Sequence, residues 1–215
     1  LHDRPPLLLE ATYVGPPPLA GTSFSIAVMN LHQRSLSGID DPGDGERVRS
    51  KRFEQAQSVA QKVQSLQISN PAVPLMVAGD FNAYEFTDGY VDVTGHIAGD
   101  FDPSLSLVTG PDLVDPDLDL RVLRLPPEER YSFIFDGNGQ VLDHSLTSAA
   151  AAPFARDMAY GRGNADAARI FLDDDSTSLR ASDHDGFVQY FSTVPAIFLD
   201  GFESGDTAAW SNAVP

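Results

Sequence analysis

The stretch Leu75-Met76-Val77-Ala78-Gly79-Asp80-Phe81-Asn82-Ala83 (LMVAGDFNA) decides how the rest of the chain is read. Leu75 to Ala78 is a short apolar run entered from Pro71 and Pro74, and its length predicts a buried strand. Gly79 and the polar residues behind it mark the strand's end. Asp80 and Asn82 stand two positions apart, so an extended chain points both side chains to one side. A carboxylate and a carboxamide therefore meet at the rim of a sheet, where rigid strands commonly present reactive groups. The same residues also suit an ordinary Asp/Asn turn, so the motif needs company before it means chemistry.

Outward from this strand the chain alternates in type. Glu46 to Gln67 carries Val48, Phe53, Ala56, Val59, Ala60, Val63 and Leu66 at steps of about three and four. That spacing predicts a helix with one apolar face and with Arg and Lys on the exposed side. Phe24 to Leu31 (FSIAVMNL) predicts a second buried strand, Leu7 to Thr12 another, and Gly38 to Gly45 a loop. Strand, helix, strand implies a layered α/β or α+β domain. Phe86 to Glu129 is loop-rich. Tyr131 to Phe135 and Gln140 to Leu146 flank Asp136-Gly137-Asn138-Gly139, a strong hairpin signal. After a second loop-rich stretch, Gly186 to Phe191 alternates as a half-buried strand, and Pro195 closes the domain. Residues 1–194 are thus expected to form one domain and 195–215 a tail.

Composition narrows the chemistry. Cysteine is absent, which excludes thiolate zinc sites and cysteine nucleophiles. Acidic residues number 31 against 14 basic, giving a net charge of −17. Such a balance argues against a broad phosphate-binding surface, since nucleic-acid affinity rests on Lys and Arg. It leaves room for an enzyme that meets phosphate through a bound divalent cation. No apolar run is long enough to span a bilayer. The chain starts at Leu1, and a signal peptide is not expected within it.

Polar clusters recur at strand ends. His32 follows the strand Phe24 to Leu31. Leu142-Asp143-His144 ends the second hairpin strand, and Ser182-Asp183-His184-Asp185 precedes Gly186 to Phe191. An imidazole beside a carboxylate can move a proton or stabilise an anionic transition state. Asp143 is placed to tune the imidazole of His184. His144 is read as a neighbour pointing the other way.

Together, GDFNA, the hairpin YSFIFDGNGQVLDH and the late Ser-Asp-His resemble the endonuclease/exonuclease/phosphatase superfamily, which includes DNase I-like nucleases. RSLSGID, GDFNAYEFTDGYVDV and NADAARIFLDDDSTSLRASDHDG further resemble its bacterial extracellular nucleases, over about Arg4 to Phe191. The resemblance implies a four-layered α/β sandwich. It implies that His32 contacts the scissile phosphate, that Asp80 and Asn82 orient the attacking water, and that Asp143 supports a catalytic His184. It also implies Mg²⁺ as cofactor, with Mn²⁺ or Ca²⁺ as alternatives, held by Asp183 and Asp80.

Two departures shape the expectations. Leu31 stands before His32, where relatives often carry Asn. The family's early Asn strand and metal-binding Glu strand have no counterpart before His32, and Glu10 in LLLEAT does not replace the latter. The chain is therefore expected to be the C-terminal portion of such a domain, with sheet edges and apolar faces uncovered. The tail stretch Ile197 to Trp210 (IFLDGFESGDTAAW) resembles a C-terminal motif of exported bacterial proteins and implies secretion. The leading expectation is a secreted, monomeric, metal-dependent nuclease acting on nucleic acid without a membrane partner. A phosphomonoesterase or phospholipid-headgroup phosphodiesterase, and a truncated non-catalytic fragment, are the alternatives.

Overall fold

The computed structural model describes residues 1–15 and 23–195. The exported-protein motif at Ile197 to Trp210, and Pro16 to Pro18 of the first turn, lie outside the described residues. The central element is a mixed five-stranded sheet. Its strands are β1 (Leu7–Val14), β2 (Ser23–His32), β3 (Leu75–Asp80), β4 (Asp119–Leu120) and β7 (Asp143–Thr147), in the order β1-β2-β3-β7-β4. β2 and β3 run parallel, joined by the long helix α1 (Gly45–Ser69), and the other pairings are antiparallel. This is the α+β arrangement that strand, helix, strand implies.

The helix covers one face of the sheet. Ala56, Val59, Ala60 and Val63 of α1 are buried with Ala27, Met29 and Leu31 of β2 and Leu75 and Val77 of β3, and Val48 is buried a turn or two earlier on the helix. Strands alternate their side chains, so the intervening positions of β2 face the other way. On that second face β1 leaves Leu7, Leu9 and Tyr13 exposed. One charged residue breaks the expected helix pattern. Arg52 is fully buried, because it lies four residues after Val48 and four before Ala56, on the apolar face rather than the solvent side.

Two smaller sheets flank the central one. β5 (Phe133–Phe135) and β6 (Asn138–Gln140) form a hairpin, and β8 (Ala155–Tyr160) pairs with β9 (Phe187–Phe191). Phe154 and Phe191 both pack on Phe24 of β2, which fixes the β8–β9 sheet against the central one.

Four expectations change in detail. The hairpin turns on two residues, Asp136 (φ 49°) and Gly137 (φ 80°), so Asn138 and Gly139 belong to a strand. Positive φ at both positions is the geometry that keeps paired strands twisted correctly. The expected strand Gln140 to Leu146 is split, its first residue ending β6 and Asp143 onward joining the central sheet beside β3. Within the loop-rich span, α2 (Val93–Ala98) forms, capped by the Asp92 carboxylate on the Gly95 N–H and stopped by Gly99 in the left-handed region. A further strand, β8, occupies what reads as loop.

Candidate functional site

Strand pairing alone assembles most of the site. His32 pairs with Asp80 across the parallel β2–β3 ladder, and Asp80 pairs with Asp143 across the antiparallel β3–β7 ladder. Three polar residues from distant parts of the chain thus form one row across adjacent strands, at roughly 4.8 Å per strand. Gly79 permits this. Its φ is 130°, and a Cβ there would lie 2.1 Å from the Leu31 carbonyl oxygen. Only a residue without a side chain lets β3 approach β2 so closely just before Asp80.

His184 completes the row from the loop ahead of β9. Its Nδ1 lies 2.7 Å from Asp143 Oδ2, with both side chains largely buried. Asp143 is fixed in turn by two residues. The Tyr160 hydroxyl donates to its carbonyl at 2.6 Å, and Ser132 Oγ accepts the N–H groups of Leu142 and Asp143 at 3.1 Å each. Asp80 Oδ2 sits 3.3 Å from His32 Nε2. Asn82 adopts φ 47°, donates its backbone N–H to Asp80 Oδ1 at 2.7 Å and its Nδ2 to Asp80 Oδ2 at 2.9 Å. The same Nδ2 reaches the Gln33 carbonyl at 3.2 Å, tying the loop after β2 to the loop after β3.

Electrostatics follow from this crowding. Burial, then the charge of Asp143, pushes the Asp80 carboxyl above the usual carboxylate range, although the Asn82 N–H and the two imidazoles oppose the shift. For His184, burial disfavours the charged ring, but the hydrogen bond and charge of Asp143 outweigh it, and Asp80 and Asp183 add to them. Its pKa lies above the ordinary histidine value. The row therefore pairs a carboxylate with raised basicity and an imidazole that holds its proton to higher pH, the combination acid–base chemistry requires.

Five expected residues, His32, Asp80, Asn82, Asp143 and His184, are brought together. The sixth, Asp183, is placed differently. It was expected with Asp80 as a metal ligand, yet its side chain is exposed and reaches the site only through its charge on His184. Among the described residues, the group that converges on one point is Asp80, Asp143 and His184, with ligand atoms all within 4.8 Å of one another. Two carboxylates forced together until one resists ionising form a donor set that a hard divalent cation suits. Glu10 pairs with Ala27, in the middle of β2 and five positions before His32, so it lies well away from the row. His144 is the expected neighbour. It is fully buried, its Nε2–H donates to the Ala83 carbonyl at 2.7 Å, and its ring packs edge-on against Phe81.

Some contributors were not read from the sequence. Arg4 Nη1 donates to His32 Nε2 at 2.6 Å. Asp185 is wholly buried beside exposed Asp183, and accepts the N–H groups of Asn164 and Ala165 at 2.9 and 3.1 Å and Arg162 Nη1 at 3.1 Å. Asn164 Nδ2 then donates to the His184 carbonyl at 2.9 Å, so Asp185 anchors the loop that presents His184. Phe133 of the hairpin lies with its ring centroid 4.7 Å from that of His184.

No protein-family model matches this sequence, and no curated protein does either. Solved structures do resemble the fold. Truncated Caenorhabditis elegans TDP2 shares 14% identity at a TM-score of 0.47, over 79% of this chain and 56% of that one. The 3'-5' exonuclease NExo from Neisseria meningitidis shares 16% at 0.45, over 87% and 80%. D. rerio TDP2 in complex with a single-strand DNA product shares 16% at 0.48, over 87% and 62%. The chain thus spans little more than half the length of the truncated C. elegans chain.

Proposed function

We propose that the chain carries the catalytic half of a divalent-metal-dependent hydrolase of the endonuclease/exonuclease/phosphatase superfamily, cleaving phosphodiester bonds in nucleic acid. The observation that carries this reading is the register row His32–Asp80–Asp143 closed by the Asp143–His184 hydrogen bond. Asp80, steadied by Asn82, holds the attacking water and accepts its proton as the water oxygen bonds to phosphorus. His184, kept protonated and oriented by Asp143, gives a proton to the departing oxygen as its bond to phosphorus breaks. His32 and Arg4 offer donors to the phosphoryl oxygens. Asp80 and Asp143 would hold a divalent cation, and such an ion, proposed as Mg²⁺, would supply positive charge against the developing anion.

Nucleic acid is favoured over a small phosphoester by the ring of Phe133 against His184. Phe135, two positions on along the same strand face, is 57% exposed. Near-parallel rings at the edge of a phosphate site suit stacking on bases. The net charge of −17 favours the second reading, a phosphomonoester or lipid-headgroup substrate. Secretion, with residues 195–215 as an export-associated tail, is part of the proposal. So is a monomeric enzyme. Among the described residues, no helix is long and apolar enough to cross a membrane.

The test is release of acid-soluble nucleotide from plasmid DNA in Mg²⁺, with EDTA and Asp80→Ala as controls. Loss of release in both supports the reading. Turnover of p-nitrophenyl phosphate or phospholipid, with plasmid untouched, moves the assignment to the second reading. No hydrolysis of any phosphoester, in this chain or in one extended at its N-terminus, overturns it.

A further inference from the structure

Arg52 is the largest side chain among the described residues with no exposure, and it lies beneath the candidate site. A guanidinium removed from water is costly unless its donors are met, and in Arg52 both Nη atoms are met while Nε has no partner among the described residues. Nη1 of Arg52 donates to the Arg34 carbonyl at 2.6 Å and to the Asn82 carbonyl at 2.8 Å, while Nη2 reaches Asp88 Oδ2 at 3.1 Å. Those two carbonyls belong to the loops that leave β2 and β3 just after His32 and Asp80. One planar group therefore clamps both loops from below. Asp88 is a fixed anchor for it, since its other oxygen accepts the N–H groups of Tyr90 and Val91 at 2.8 and 2.7 Å.

Asn82 is the residue that needs the clamp. Its left-handed backbone is not the default for a residue with a side chain. Its N–H and carboxamide are committed upward to Asp80, and its carbonyl is the group that points down to Arg52. We propose that Arg52 is a positioning residue, whose buried guanidinium holds the Arg34 and Asn82 carbonyls so that the Asn82 carboxamide stays on Asp80 beside His32. The inference rests on the reading of Asp80 and Asn82 as the pair that orients the attacking water. A lysine cannot substitute, because a point-like ammonium does not present a rigid fork to two carbonyls and a carboxylate at once.

The test compares wild type, Arg52→Lys and the double variant Arg52→Gln/Asp88→Asn, which leaves no unpaired buried charge. Each is followed by plasmid hydrolysis in Mg²⁺ and by hydrogen exchange of the Asn82 side-chain amide in ¹⁵N-labelled protein. The expected result is a folded protein with kcat lowered roughly 10- to 100-fold, as small misplacements of reacting groups produce. KM stays within about twofold, and Asn82 carboxamide exchange quickens while the amides of α1 away from residue 52 keep their rates. Wild-type kcat and Asn82 exchange in either variant overturn the proposal. Uniformly faster exchange throughout α1, or failure of both variants to fold, also overturns it and assigns Arg52 to the fold alone. If wild type cleaves no phosphodiester, the catalytic reading fails separately, and the exchange of Asn82 alone decides whether Arg52 holds it.

Discussion

His144 makes the stability of this chain depend on pH by an amount that can be worked from its surroundings. The ring has no exposure, donates Nε2–H to the Ala83 carbonyl, and leaves Nδ1 without a partner. Burial drives its pKa down from 6.5 to about 4, against smaller opposing effects of Ala83 and Asp143. Because the folded value lies below the unfolded one, the contribution is complete above pH 6.5 and is lost as pH falls toward 4. The full span is about 3 kcal/mol, and roughly 2 kcal/mol of it is gone by pH 5. Carboxylates with raised pKa also titrate toward this window, so the comparison must be a difference. Urea unfolding of wild type and His144→Gln at pH 7 and pH 5 isolates the one ring, with the stability gap between them narrowing by about 2 kcal/mol at the lower pH. A gap that does not change between the two pH values would refute the account, since it would mean the imidazole charges as freely folded as unfolded.

Asp143→Asn is expected to lower the His184 pKa, because the hydrogen bond and charge that raise it are weakened together, and an imidazole NMR titration reads this directly. Plasmid hydrolysis should fall at least about 100-fold in the same variant, and unchanged hydrolysis would remove His184 from the chemistry. Gly79→Ala should cost roughly 3 kcal/mol or more in urea unfolding, since the new Cβ meets the Leu31 carbonyl oxygen in a backbone region that side chains avoid. Asp185→Ala removes one acceptor from Arg162, which keeps the Tyr131 and Glu129 carbonyls, and leaves the N–H groups of Asn164 and Ala165 unpaired; a loss of about 2 kcal/mol is expected by the same assay, whereas Asp183→Ala next to it should stay within about 0.5 kcal/mol.

The site was legible where a residue type and its strand-end position coincide. Asp80, Asn82, Asp143 and His184 each follow or precede an apolar run, and pairing of those runs into one sheet brings them together. Asp183 and Asp185 show where that logic stops. Both flank the same histidine, and only the alternation of a loop, unreadable from composition, buries one and exposes the other. Arg52 was hidden by a sound prior, that charge on an amphipathic helix faces water. Its position on the Val48–Ala56 line was visible, but its partners are carbonyls of two loops that a sequence does not place. α2 was missed because six residues are too few for helical periodicity, although Asp92 and Gly99 mark its ends. The strand β8 reads ARDMAY, and its arginine and aspartate side by side interrupt the alternation that exposes a strand to inspection.

The row His32–Asp80–Asp143 also determines where the chain can tolerate a change in length. A residue inserted or deleted within 75–80 would turn Asp80 to the opposite face of the sheet and separate it from both neighbours at once. An insertion at Asp136–Gly137, the tip of a two-stranded hairpin, would lengthen a turn and leave that row untouched. Length variation among functional relatives should therefore gather at the hairpin tip and be absent from the six positions of β3, whatever substrate each has come to cut.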